Sequence, residues 1–180
     1  MSSYLAITGI EGDSVDDRHP HAIELDYWRF GCEQPASDAV GTGARTGRAR
    51  FTDATFTCRS SSASPRLLEA CATGRHFPEA VLSLDVGEGD SGPATVVRFT
   101  EVQVRGYTAT GGGQGLRPTD EFRLGFAGIT FSVRRQRPDG RLGDEVSTTQ
   151  PAPVEAVKEP PLPTPGSGGV WRPRPPLPEH

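Results

Sequence analysis

The stretch Ser60–Val86, "SSSASPRLLEACATGRHFPEAVLSLDV", changes its pattern twice in a short span. It opens with helix signals. Ser64 is suited to capping the first free backbone amides, Pro65 to the first helical turn, and Leu67, Leu68 and Cys71 to one apolar face. Gly74 supplies a left-handed stop, and from Glu79 the residues Val81, Leu82, Leu84 and Val86 read as a strand buried mainly on one side. One short helix therefore interrupts a chain that is otherwise extended.

On either side of it the chain reads as strands. "YLAIT" at 4–8 is a first strand, and "AIELDYWRFG" at 22–31 sets Ile23, Leu25, Tyr27 and Arg29 against Glu24, Asp26, Trp28 and Phe30. Neither face is purely apolar, which fits a strand shared between core and interface or one carrying a bulge. "RARFTDATFTCR" places Phe51 against Phe56 and Cys58, consistent with a long strand that twists midway. "ATVVRFTEVQVRGYTAT" and "TDEFRLGFAGITFSVRR" continue the alternation, and Asp139-Gly140 marks a turn. These readings predict a mainly β fold, a barrel or sandwich of antiparallel strands with one short α-helix.

Composition narrows the functional classes. The 180 residues suit one domain and a tail; 34% hydrophobic content with 22 glycines and 17 prolines implies a modest core that assembly can supplement. A net charge of −4 argues against a broad nucleic-acid or anionic-membrane surface. Of the 19 basic residues all but Lys158 are arginine, a bias that fits a GC-rich coding sequence. "MSSYLAITGIEGDS" has neither a basic n-region nor a long apolar run, so a cytoplasmic protein made without a signal peptide is expected.

Cys32, Cys58 and Cys71 form no C-x-x-C pair, and the histidines lack ligand-spaced partners, so no metal site and no cofactor are expected. Asp13, Asp16 and Asp17 lack the remaining ligands of a calcium loop and read as a solvated connection. "GTGARTG" lacks the Lys-Ser or Lys-Thr pair of a phosphate loop. Arg75, His76 and Glu79 lie close together in sequence but have no partner nucleophile, so the neighbourhood reads as an anchored loop and the chain as a non-enzyme. Ten of the 17 prolines fall in 151–180 with Trp171 as the single aromatic; residues 147–180 read as an extended or disordered tail with PxxP-like patterns, after a domain ending at residue 146.

Taken in order, the motifs resemble one family. "GIEGDSVDDRHPHAIELDYWRFG" is similar to the N-terminal signature of Hcp, the tube protein of type VI secretion systems, through Gly9, Gly12, Asp13, Ser14, Asp16, His19, Trp28, Phe30 and Gly31. The ordered run Ser64, Pro65, Leu67, Ala70, Cys71, Gly74 and His76 resembles the family's central strand, helix and strand. The resemblance spans about residues 4–143. It implies a barrel protomer, six of which form a ring with a wide lumen, rings stacking into a tube as in phage tails, with sheath, spike and effector proteins as partners and export through the apparatus itself.

The resemblance also nominates residues. Arg29 matches a lumen-facing position, where a guanidinium would favour acidic cargo or pair with a neighbouring protomer's carboxylate. The loop at 35–47, with Thr42, Gly43, Ala44 and Arg45 at its tip, matches the family's ring-stacking loop. After "RPDGRLG" the family often adds a strand ending in G-W-x; here "DEVSTTQPAP" runs into the tail, so the last strand is expected to be missing or weakened. The rival readings are a non-enzymatic binding module whose proline-rich tail recruits a partner, and a small hydrolase or carbohydrate-binding module on a β scaffold.

Overall fold

The computed structural model describes residues 2–34, 49–85, 93–111, 117–137 and 142–152. In chain order its elements are β1 (Ser2–Ile7), β2 (Ile23–Glu33), β3 (Arg50–Arg59), α1 (Ala63–Thr73), β4 (His76–Asp85), β5 (Thr95–Thr110), β6 (Thr119–Gly125), β7 (Gly128–Gln136) and β8 (Leu142–Pro151). All pairings are antiparallel, in the order β4-β1-β2-β3-β6-β5-β7-β8, and a β4–β5 pairing closes six of these strands into a barrel. Strands β7 and β8 extend it from β5. The expected mainly β barrel with one helix is the fold observed.

Strand β5 makes this closure possible. Thr95–Thr100 pairs with both β4 and β7, the β4 ladder continues to Gln103, and Gln103–Thr110 pairs with β6. Between the halves Glu101 has φ of 50°, a left-handed value uncommon outside glycine that turns the strand from one part of the barrel to the other. Inward-facing residues of both halves share one core. Phe56 stacks on Phe122 at 5.3 Å between centroids, and Phe99 meets Phe30, Phe56 and Phe126. Each such fully buried side chain is worth about 1.5–3 kcal/mol of transfer free energy.

The mixed faces of β2 have a physical cause in its ladder with β3, which shifts register between Leu25 and Tyr27 and again between Arg29 and Gly31. The first shift changes the side on which odd-numbered residues lie. Ile23 and Leu25 are buried, Tyr27 and Arg29 are exposed, and Trp28 and Phe30 pack against the core.

The helix differs in detail from its sequence reading. Its buried stripe is Ala63, Leu67 and Ala70, spaced to lie on one face against β5; Leu68 is 54% exposed and Cys71 only partly covered. Small residues on both sides of Leu67 allow close docking, which an unaided count of large apolar residues overlooks. The stop at Gly74 is as expected, with φ of 65°. The start lies earlier than expected, with Ser62 at the cap position and Ser64 and Pro65 already inside the first turn, where proline's missing N–H costs little.

Ser64 therefore does not cap its own helix. Its hydroxyl accepts from the Ser61 N–H at 2.8 Å and donates to the carboxylate of Asp120 on β6. Asp120 is 1% exposed and also accepts from Ser60 Oγ at 2.7 Å and from the Tyr107 hydroxyl. Burial, reinforced by that bond, pushes the Tyr107 phenol above its usual pKa. One carboxylate thus ties the helix entrance to β5 and β6.

The last strand is present. β8 pairs with β7 from Leu142↔Gln136 to Pro151↔Gly128, so a domain boundary after residue 146 would cut through it. Its residues are largely exposed, which hid it from hydrophobic periodicity; backbone pairing and cross-strand contacts such as Thr130–Thr149 at 3.0 Å define it instead. Residues 153–180 lie outside the described residues.

Asp120→Ala is expected to lower unfolding free energy by about 1–3 kcal/mol, the loss of hydrogen bonds from exposed and half-buried hydroxyls to a buried charged acceptor, with Asp120→Asn milder. Denaturant titration checks this, and equal effects of the two substitutions would contradict the charge-assisted tie.

Candidate functional site

Two regions gather the residues that sequence reasoning singled out. The first is the connection between β1 and β2. Gly12 N–H donates to His21 O at 2.8 Å, and a Cβ on Gly12 would sit 2.4 Å from Ala22 O, so only glycine permits this approach. His21 N–H returns to Ser14 O at 3.0 Å. Asp13 accepts from the N–H and hydroxyl of Ser62 at the cap position and so holds the helix start from outside, while Ser61 Oγ accepts the Ala63 N–H at 3.3 Å. The segment expected to be a solvated acidic loop is instead a clasp between the chain start and the helix.

Asp16, His19 and Asp85 complete that clasp. Asp16 accepts from the N–H groups of Arg18 and His19, and chiefly the Arg18 bond holds its carboxyl below the usual range. The His19 ring stacks on Tyr4 at 4.6 Å and places Nε2 3.3 Å from Asp85, a buried carboxylate on β4 that also meets Arg18 Nη2 at 2.7 Å. The three side chains bring ligand-type atoms within 4.8 Å of one another. A guanidinium stands against one carboxylate and backbone donors occupy the other, so the chemistry available is that of an ion-pair anchor.

His76 is exposed at the start of β4. Its sequence neighbours are engaged elsewhere: Arg75 lies over the Phe77 ring at 5.2 Å and Glu79 pairs with Arg98 at 2.9 Å. Cys58 is buried, and burial, followed by the Asp120 charge, pushes its thiol up to about 12.

The second region is the outer face of β2, β3, β6 and β5. Register places Arg29, Thr55, Arg123 and Gly106 in one row, with Tyr27, Thr57, Glu121 and Thr108 in the next. Beside them Arg105 crosses Gly125 to reach Asp53 at 2.9 Å; a Cβ on Gly125 would fall 2.1 Å from Arg105 Nε. Sequence reasoning found Arg29 but missed Arg123, Arg105 and these glycines. The alternation was visible, whereas the cross-strand register that makes them neighbours was not.

Among the described residues, this four-stranded sheet has two largely unpaired margins: the outer side of β2 meets β1 only at Ile23 and Glu24, and β5 beyond Gln103 pairs with β6 alone. Thr42, Gly43, Ala44 and Arg45 lie outside the described residues.

A barrel with its charge and open backbone on a broad sheet face belongs to the class of surface-forming β proteins. Comparison with known proteins makes that class specific. The family described as type VI secretion system effector, Hcp, matches residues 4–133. Protein hcp1 of Pseudomonas aeruginosa is 28% identical over 141 residues, covering 78% of this chain and 87% of that protein. The crystal structure of Hcp1 from Salmonella typhimurium superposes with a TM-score of 0.70 at 25% identity, over 84% of this chain and 94% of that one. A structure described as a type six secretion system protein reaches 0.78, also at 25% identity, over 83% and 94%. The chain belongs to the Hcp family.

Among the described residues, no helix is long and apolar enough to cross a membrane. Alkylation of the native protein is expected to modify exposed Cys32 and to spare Cys58 until the chain unfolds. Peptide mass analysis after a short iodoacetamide pulse reads this, and equal labelling of the two would contradict the burial of Cys58.

Proposed function

We propose that the chain is the repeating subunit of a type VI secretion or related contractile-injection tube: six copies close a ring, rings stack, and the lumen carries effectors outward. The observation that carries the reading is the four-stranded sheet with, among the described residues, a largely unpaired margin on each side. Unpaired N–H and C=O rows favour strand addition. The two margins are different surfaces, so joining one to the other in the next copy is a heterologous contact, and such contacts close a ring when the rotation permits. Family membership supports the same reading.

In this assembly the outer face of β2-β3-β6-β5 lines the channel, and Arg29 points into it. The protein acts by geometry and surface, without a reaction of its own. It is made in the cytoplasm and leaves through the apparatus, with sheath, spike and effector proteins as its partners. The loop containing Thr42, Gly43, Ala44 and Arg45 bridges stacked rings. The tail beyond β8 is an appendage to the barrel that ring closure does not require.

Light scattering coupled to size exclusion should give the mass of six chains, with ring-shaped particles in negative stain. A monomer at every concentration would overturn the ring reading and favour a binding module that uses its tail. Truncation after Ala152, which spares β8, is expected to leave the number of chains per particle unchanged.

Replacing Thr42–Arg45 by a short linker is expected to preserve rings and reduce tube length in electron micrographs. Unchanged polymerisation would reject the stacking role.

A further inference from the structure

The outer sheet face carries an arginine pair that invites a partner. Arg29 and Arg123 are aligned across β2, β3 and β6, with Thr55 between them. Two strand spacings separate their backbones by roughly 10 Å. Both are exposed, and among the described residues neither makes an ion pair or hydrogen bond, whereas Arg105 on the same face is paired with Asp53. Arg123 lies over Gly106: a Cβ there would come within 2.7 Å of its Nη2. The guanidinium is therefore laid along the sheet, its planar donors available on a surface that a neighbouring side chain would otherwise block.

The charge of this face runs against the chain as a whole. Net charge is −4, yet the two rows around Thr55 place unpaired Arg29 and Arg123 beside Glu121. We infer that the Arg29–Thr55–Arg123 row binds carboxylate side chains of an acidic polypeptide. Glu121 would repel phosphates fixed to a backbone, while carboxylates at the ends of flexible side chains can each turn to one guanidinium and clear it; Asp53 is already neutralised by Arg105. The acidic polypeptide is then cargo, an assignment that rests on the proposal that this face lines the channel.

The test uses the full chain and a fluorescent poly-glutamate peptide, with labelled single-stranded DNA as a second probe, read by anisotropy at low and high salt. The protein is expected to bind poly-glutamate in a salt-sensitive manner. Arg29→Gln and Arg123→Gln should each weaken binding, and the double variant should weaken it about tenfold or more. Arg66→Gln, on the helix, should have no effect, and Arg29→Lys should retain more affinity than Arg29→Gln.

Unchanged affinity in a folded double variant, confirmed by circular dichroism, would overturn the row; if the double variant fails to fold, unchanged affinity in the two single variants overturns it equally. Equal or tighter binding of DNA at the same arginines would overturn the polypeptide assignment. Native mass separates the two proposals. A monomer that still binds poly-glutamate through Arg29 and Arg123 removes the channel and keeps the row, whereas rings indifferent to both substitutions remove the row and keep the channel.

Discussion

Backbone pairing along β5 is the constraint on which the remaining architecture depends. One edge pairs with β4 from Thr95 to Gln103 and the other with β7 and then β6, so one strand both closes the barrel and, beyond Gln103, supplies a sheet margin. At Glu101 one edge of β5 exchanges β7 for β6, while the other edge stays paired with β4 as far as Gln103. Gln103 is flanked by His76 of β4 and Gly125 of β6, and Phe99, two residues before the bend, meets Phe30, Phe56 and Phe126 in one cluster. The local strain at Glu101 persists because hydrogen bonds on both sides hold it, including Ala127 N–H to Thr100 O at 2.9 Å.

Polar contacts then decide how the helix joins this frame. A modest apolar stripe of Ala63, Leu67 and Ala70 leaves room for alternative helix positions. Buried Asp120 and exposed Asp13 restrict them from two sides, one through Ser60, Ser64 and Tyr107, the other through Ser62. Carboxylates that accept from several donors specify geometry more sharply than apolar contact does. The family-signature residues Gly12, Asp13, Ser14, His19 and Ser64 are accordingly joints of the scaffold.

Alternation, glycine placement and helix punctuation were legible in the sequence, and with the ordered motifs they gave the barrel and the family. Detail failed where a residue's role came from a distant partner. Ser64 looks like a local cap because nothing in the linear chain announces Asp120, and Leu68 looks buried because two alanines do not look like a docking face. β8 escaped notice because a solvent-exposed strand obeys backbone pairing more than hydrophobic periodicity. For the candidate site, Arg29 was nominated by the family resemblance, since alternation alone set it on one face with Ile23 and Leu25. Its counterpart Arg123 required the register of three strands, which depends on bulges that no short window encodes.

The end of β8 sets a boundary condition for whatever follows it. Ala152 is buried and its N–H donates to Ala127 O at 2.8 Å, beside the turn between β6 and β7. The next residue thus departs from a point fixed to the barrel rather than from a frayed strand. In a closed ring of identical copies those departure points repeat around the circumference, and tethering raises the local concentration of any attached segment to the order of millimolar. Weak contacts made by such segments would then act together, giving avidity that a single chain in solution lacks.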